Sequence, residues 1–206
     1  MAIQRLRKYL SINRPESWQF RRQLIADRTI YFSDPGNFND PLDCNIASTA
    51  RLRHALYDCW VFCLSLDSCN DFLMFAHYAD GHRGFRLTFE IDTDKTIGDI
   101  GVLGRGREVA YVSSLPANFD LSNIHMSLFT KLNYWTYESE YRILAVTTDA
   151  LIYGTSSLVE VAFGCRMNGD FEPVIRNWVR EGNHERVKFM RARLCDSPAG
   201  YEYIDA

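Results

Sequence analysis

The sequence has little of what defines a fibrous or disordered chain. Its 206 residues include only 6 Pro and 12 Gly, which excludes a collagenous or proline-rich protein. Because 47% of the residues are hydrophobic and 24% are charged, the composition also excludes an intrinsically disordered protein. A chain of this length can bury roughly 70% of the surface that it exposes when unfolded. We therefore expect one globular domain spanning residues 1–206.

Long hydrophobic runs are also missing. The longest uncharged and mostly apolar stretch, residues 59–66, is far shorter than the ~20 residues that cross a bilayer. The opening residues, MAIQRLRKYL, carry positive charges with no apolar segment behind them, which argues against a secretory signal. The sequence predicts a soluble, cytoplasmic protein with no membrane partner.

Several catalytic and metal-binding motifs are absent. The six Cys form no Cys-x-x-Cys pair, and the five His do not combine with them at zinc-ligand spacings. We expect reduced thiols and no bound metal. The chain also has no Gly-x-x-x-x-Gly-Lys-Ser/Thr loop and no Gly-x-Ser-x-Gly elbow, which excludes two large classes of nucleotide-binding and hydrolytic enzymes.

The net charge of −3 is unevenly distributed. Residues 1–30 carry a net charge of +5 and residues 174–195 carry +4, which leaves −12 for the remainder. Of the 23 basic residues 19 are Arg, whose planar guanidinium suits phosphate and carboxylate groups. The basic ends are either solvated surface or the approach to a phosphate-bearing ligand or nucleic acid.

Hydrophobic periodicity and turn residues predict intermixed strands and helices without regular βαβ alternation. This order predicts an α+β fold with a mixed, mostly antiparallel sheet flanked by helices. The predicted strands are 5–10, 29–33, 60–66, 85–91, 108–113, 141–146, 158–163 and 186–194. The predicted helices are 15–26, 49–57, 71–79, 121–133 and 173–180.

An acidic strand at residues 137–146 is the first candidate site. Residues two apart on a strand share a face, so Glu138, Glu140 and Arg142 are expected to project together. Two neighbouring carboxylates either perform acid–base chemistry or form a solvated ladder neutralised by the arginine. Trp135 and Tyr137 upstream suit a planar, charged ligand, and Lys131 adds a cation.

A loop rich in Asn and Asp, residues 33–44, is the second candidate. Loops stiffened by Pro and placed by a strand commonly bind ligands. The polar side chains could bind sugar hydroxyls, Asp40 and Asp43 could hold a hard cation, or the whole set could cap turns. The third candidate is the turn 81–84, where Arg83 between glycines could receive a phosphate. His77 before it is interpreted as a partly buried structural histidine.

These segments, in this order, resemble a family of bacterial and phage proteins whose function is not assigned. The shared signature is Lys-Tyr, then Phe-Ser-x-Pro-x-x-Phe-Asn-Asp-Pro, then an aromatic residue with Tyr and Gly, then Lys-x-x-x-Trp-x-x-Glu-x-Glu-Tyr-Arg. Here it runs from Lys8-Tyr9 through residues 32–41 and 75–84 to residues 131–142, with Phe75 where Trp is more usual. The match spans roughly residues 5–168.

A looser resemblance is to the ADP-ribosyltransferase superfamily. Those enzymes place His or Arg on a first strand, Tyr or Ser on a second and a catalytic Glu on a later one. The matching positions are Arg7 or Tyr9, then Tyr31 or Ser33, then Glu140 with Glu138; this chain has no His on its first strand and no Ser-Thr-Ser. The resemblance implies an ADP-ribosyltransferase-like fold and NAD as a substrate.

The implied reaction breaks the nicotinamide–ribose bond of NAD through an oxocarbenium-like transition state. The resemblance assigns Glu140 to the ribose hydroxyl or the developing cation and Glu138 to the acceptor. It implies a cytoplasmic effector or toxin acting on a nucleic-acid or protein acceptor, as in phage defence. The residues that would hold the dinucleotide are Arg7, Lys8, Tyr9, Tyr31, Ser33, Asn39, Asp40, Tyr78 and Arg142.

Two other classes of function remain open from the sequence. A non-catalytic module for nucleic acid or a nucleotide, as in defence or counter-defence, would use the two Arg-rich ends and would bind less tightly as salt increases. A metal-dependent nuclease would use Asp40, Asp43, Glu138 and Glu140 as a carboxylate cluster.

Overall fold

The computed structural model describes residues 3–13, 15–44, 59–92, 106–116, 124–145, 151–153, 157–195 and 201–206. Its strands, named in chain order, are β1 (Ile3–Leu10), β2 (Thr29–Ile30), β3 (Trp60–Leu66), β4 (Phe85–Asp92), β5 (Arg107–Glu108), β6 (Ala110–Val112), β7 (Thr130–Leu132), β8 (Glu140–Ala145), β9 (Leu151–Ile152), β10 (Leu158–Phe163), β11 (Lys188–Leu194) and β12 (Tyr201–Asp205). Eight of them form one sheet in the order β12-β11-β10-β4-β1-β3-β8-β5. Two small sheets pair β2 with β9 and β6 with β7.

Neighbouring strands of the large sheet are antiparallel except β10 and β11, which are parallel. Three α-helices lie in the described ranges: α1 (Trp18–Ile25), α2 (Asp71–Tyr78) and α3 (Phe171–Glu181). The expected α+β class with a mixed, mostly antiparallel sheet is thereby confirmed. No helix in those ranges is both long enough and apolar enough to cross a membrane.

One face of the large sheet packs against α1 and α3. Leu6 of β1, Leu87 of β4 and Val161 of β10 belong to the same apolar cluster as Ile25 of α1 and Ile175 of α3. All five side chains are fully buried. The alternation of apolar residues along these strands places them on this face, and their burial supplies the main core of the protein.

The opposite face is covered by α2, where Tyr9 of β1 packs with Met74 and Phe75. Asn70 caps this helix by accepting a hydrogen bond from the Leu73 amide at 3.1 Å. Two polar residues of β4, Arg86 and Thr88, are buried at 3% and 1% exposure, and Glu90 is exposed.

Most of the predicted strands and three of the predicted helices are present with small shifts at their ends. The predicted strand 29–33 is reduced to Thr29–Ile30 followed by a single bridge at Ser33. The predicted helix 121–133 is wrong where the structure describes it, because Ile124–Phe129 is a 3-10 helix and Thr130–Leu132 is a strand. The predicted helix 49–57 lies outside the described residues, and β12 was not predicted.

Candidate active site

β1 and β3 separate near the middle of the large sheet. Their ladder consists of Leu6 opposite Leu66 and Arg7 opposite Ser65. β1 nevertheless continues beside β4 as far as Leu10. Beyond Arg7, β1 still pairs with β4 but no longer with β3. A gap therefore opens in the sheet between β1 and β3.

The far end of the gap is closed by Ser33, which exchanges two backbone hydrogen bonds with Val61 of β3, at 2.8 and 2.9 Å. The alternation of hydrogen-bonding directions in an antiparallel strand then turns the peptide groups of Cys63 toward the gap. Lys8 reaches across from β1, and its Nζ donates to the Cys63 carbonyl at 2.8 Å. The gap is thus lined by backbone polar groups and bridged by the Lys8 side chain.

A cleft of about 300 Å³ lies at this gap. Strands β1, β3 and β8, helix α2 and the loop after β2 all contribute to its walls. The described residues that line it are Arg7, Lys8, Tyr9, Ser33, Asn37, Phe38, Asn39, Asp43, Cys63, Leu64, Ser65, Met74, Tyr78, Lys131, Glu138, Glu140 and Arg142.

The loop after β2 folds through its own acidic side chains. Asp34 caps the 3-10 turn Pro35–Asn37 by accepting from the Gly36 amide, and Asp40 accepts from the Leu42 amide at 2.9 Å. These two carboxylates are used in turns, so the loop presents Asn37, Asn39 and Asp43 to the cleft instead. The turn-capping interpretation thus applies to Asp34 and Asp40. The ligand-loop interpretation stays a prediction for Asn37, Asn39 and Asp43.

A buried lysine joins three carboxylates in the cleft. The Lys131 Nζ lies 2.7 Å from Glu138, 3.4 Å from Asp43 and 3.5 Å from Glu140. It also lies 4.7 Å from the centre of the Trp135 ring. An ammonium is therefore found where the three acidic side chains meet. Among the residues that the structure describes, no group of three His, Cys, Asp or Glu is arranged to hold a metal.

Arg142 is the second cation of this cluster and is completely buried. Its guanidinium donates to both oxygens of Glu140 at 2.9 Å and to both oxygens of Asp43 at 2.9 and 2.5 Å. It also donates to the Leu128 carbonyl at 2.8 Å, and the Phe38 ring lies 5.1 Å away. A buried charge is tolerated only with such partners, so the guanidinium fixes both carboxylates in place.

Glu138 reaches the same cluster from a different element. The 3-10 helix Asn133–Glu138 is followed by Ser139 in the left-handed region at φ 41°, and β8 begins only at Glu140. Glu138 accepts hydrogen bonds from Lys131 and from the Tyr78 hydroxyl, whose oxygen in turn lies 3.3 Å from the Asn39 amide nitrogen. Glu138 therefore joins Glu140, as expected, although the strand predicted for it is absent.

The two glutamates differ in their electrostatic surroundings. At Glu140 burial opposes ionisation, but the neighbouring Arg142 and Lys131 outweigh it and lower the pKa to about 2. At Glu138 burial is the stronger effect, and its pKa is raised although Lys131 and Tyr78 donate to it. Environments that move the pKa values of neighbouring carboxylates apart are typical of acid–base pairs.

Nine of the eleven predicted site residues line the cleft. They are Arg7, Lys8, Tyr9, Ser33, Asn39, Tyr78, Glu138, Glu140 and Arg142. Tyr31 lies elsewhere, with its ring 5.7 Å from that of Phe20 in an edge contact, and Asp40 is used in its own turn. The assignment of these two to the dinucleotide finds no support in the geometry.

The structure bears on three further predictions. The turn 81–84 does not present free amides to a phosphate, because each of its four amides donates to a backbone carbonyl of residues 75–80. His77 is exposed rather than partly buried, with its ring 5.6 Å from that of Tyr137. Part of the basic segment 174–195 forms ion pairs within the protein, since Arg176 and Arg191 both pair with Glu172.

Comparison with known proteins finds no matching family model, no matching curated protein and no matching solved structure. The chemistry of the cleft is therefore the basis for a functional assignment. The cleft contains three carboxylates paired with two cations. Tyr78 adds a hydroxyl and Asn39 an amide, and Arg7 and Lys8 on β1 add two basic side chains.

Proposed function

We propose that the cleft binds NAD and breaks the bond between nicotinamide and ribose, transferring ADP-ribose to a macromolecular acceptor. The observation that carries the proposal is the pair Glu138 and Glu140, which share the Lys131 ammonium but differ in pKa direction. The looser resemblance to ADP-ribosyltransferases points to the same pair. The cleft lies where β1 and β3 separate, and both glutamates line it.

The reaction calls for stabilisation of positive charge. Nicotinamide leaves as a neutral molecule, and the ribose carbon that it leaves becomes oxocarbenium-like. Glu140 stays ionised at neutral pH because its pKa is about 2. Arg142 and Lys131 hold the Glu140 carboxylate in place, and its negative charge would stabilise a developing cation beside it.

Glu138 is suited to the acceptor. Its raised pKa makes it a better proton acceptor than an ordinary carboxylate, and Tyr78 and Lys131 hold it in one orientation. In the proposed reaction the acceptor attacks the ribose carbon, its proton passes to Glu138, and nicotinamide takes the electrons of the broken bond. The products are ADP-ribosylated acceptor and nicotinamide.

The size of the cleft suits part of the dinucleotide. About 300 Å³ is at the lower end of the range for small-molecule sites, which suits the nicotinamide and its ribose. Arg7 and Lys8 are the basic groups that line the cleft from β1 and are the candidates for contact with the pyrophosphate.

Nicotinamide release from NAD, in the presence of candidate protein and nucleic-acid acceptors, tests this proposal. We expect Glu140→Gln and Glu138→Gln each to lower the rate by about 100-fold or more, because each removes a charge used in the transition state. Glu90→Gln is the matched control, since Glu90 lies on β4 in a half-exposed pair with Arg5 and is expected to keep the rate. Circular dichroism establishes that each variant is folded.

The result against the proposal is equally clear. If the unaltered protein releases no nicotinamide with any acceptor and shows no thermal shift with NAD, the proposed substrate is wrong. If it releases nicotinamide and a folded Glu140→Gln variant does so equally fast, the carboxylate assignment is wrong.

A further inference from the structure

A second buried polar cluster lies beside the cleft, on the face of the sheet that α2 covers. At its centre is Asp71, the first residue of α2, which accepts hydrogen bonds from the hydroxyls of Tyr9 and Tyr203. Arg86 of β4 also donates to Asp71, at 2.5 Å, and to the Tyr203 hydroxyl at 3.1 Å. Neither Asp71 nor Tyr203 is among the described residues that line the cleft.

This cluster connects the edge of the sheet to the cleft. Tyr203 lies on β12, the edge strand, while Tyr9 lies on β1 and lines the cleft. The side chain of Tyr203 also stacks with Arg86, whose guanidinium carbon is 4.7 Å from the ring centre. Arg86 in turn donates to Glu160 at 2.5 Å. The partners of Asp71 thus come from three strands, β1, β4 and β12, and converge on one carboxylate.

The charges favour a rigid arrangement. Burial raises the pKa of Asp71, but Arg86 and the two tyrosine hydroxyls outweigh it, so its pKa is below the ordinary value. The carboxylate is therefore ionised at neutral pH and accepts from both phenols. Arg7, another β1 residue on this side, lies 3.8 Å from the same carboxylate and 2.9 Å from Asp67.

We propose that Asp71 and Tyr203 are positioning residues for the ligand site: they fix the Tyr9 phenol at the cleft, so the C-terminal strand takes part in ligand binding without contacting the ligand. The inference rests on the proposed function for the identity of the ligand, NAD. It does not rest on it for the connection between Tyr203 and Tyr9, which can be measured without any ligand.

Tyr203→Phe is the informative variant, because it removes one hydroxyl and leaves the ring over Arg86. Tyr201→Phe is the matched control: it lies two residues away on the same strand, and its hydroxyl contacts His82 and Cys165 instead of Asp71. Asp71→Asn is a harsher change, because it leaves the buried Arg86 with one carboxylate fewer.

Two readouts on both tyrosine variants separate the outcomes. The first is the NMR signal of the Tyr9 ring carbon that bears the hydroxyl, in protein with isotope-labelled tyrosine. The second is the dissociation constant for NAD, from calorimetry. We expect Tyr203→Phe to shift the Tyr9 signal and to weaken NAD binding by at most about 5-fold, because the hydrogen bond that is lost does not itself contact the ligand. Tyr201→Phe is expected to change neither.

Each result decides one claim. If the Tyr9 signal is the same in Tyr203→Phe as in the unaltered protein, or moves equally in Tyr201→Phe, the positioning role is overturned. If the signal shifts only in Tyr203→Phe but NAD affinity does not change, the connection exists and its role in binding is overturned. If the unaltered protein binds no NAD while the signal shifts as expected, the proposed function fails and the connection stands.

Discussion

At the scale of single residues, the cleft is held together by ion pairs between buried side chains, and sequence spacing predicts only some of these pairs. Glu140 and Arg142 are two apart on β8, and the strand period correctly placed them on one face. Asp43 is bound to Arg142 from 99 residues away, which no local pattern encodes. Lys131 was noted as a nearby cation, but its position between three carboxylates depends on the tertiary fold.

Replacing Lys131 with methionine tests the importance of this cation. The change removes the described cation that pairs with Glu138 and leaves Asp43 and Glu140 with Arg142, so we expect a loss of about 3–5 kcal/mol in the free energy of unfolding at neutral pH. Urea denaturation measures it. Lys188→Met is the control, because its ammonium is 62% exposed and pairs with Asp205 at 3.7 Å. Such exposed pairs contribute about 0–1 kcal/mol.

The loss in the free energy of unfolding caused by Lys131→Met should depend on pH. Burial already raises the folded-state pKa of Glu138, and without the ammonium that pKa rises further above its unfolded value. The folded protein then binds more protons than the unfolded one, so stability decreases as pH rises through this range. We expect the deficit to be small near pH ~4 and largest at neutral pH. A deficit independent of pH would show that lost packing, not lost charge, is responsible.

At the scale of elements, strands with alternating residues were predicted well and the region around 121–138 was not. β4 and β10 follow from apolar alternation, because burial against α1 and α3 selects it. Residues 130–132 instead form β7, whose pairing with β6 is parallel and comes from a distant segment. A tertiary partner there overrides the local helical pattern. β12, in contrast, pairs with the strand directly before it in the chain, β11, with Leu194 opposite Tyr201.

The turn into β4 has a tight contact that can be tested. A Cβ added at Gly84 would lie 2.0 Å from the Leu10 carbonyl oxygen, a backbone atom of β1. We expect Gly84→Ala to lower the free energy of unfolding by about 2–3 kcal/mol or more, because the two strands would have to move apart. At Gly169 an added Cβ meets nothing within 4 Å, so Gly169→Ala is the control. Equal effects in the two variants, measured by urea denaturation, would contradict this account.

At the scale of the whole molecule, the uneven charge predicted from the sequence has a structural counterpart. The acidic remainder contributes Asp43, Glu138 and Glu140 to the cleft, and the basic N-terminal segment contributes Arg7 and Lys8 on β1. The sequence could indicate these opposite charges but not the gap between β1 and β3 that brings them together. That gap follows from where each strand finds its neighbour.

The central claim is that the cleft at this gap is the site for NAD, and amide hydrogen exchange with and without NAD tests it most directly. We predict that NAD slows exchange in residues 7–9, 33–39 and 63–65, which border the cleft, and leaves α3, on the other face of the sheet, unchanged. Slower exchange confined to another surface, or no change at millimolar NAD, would contradict the claim.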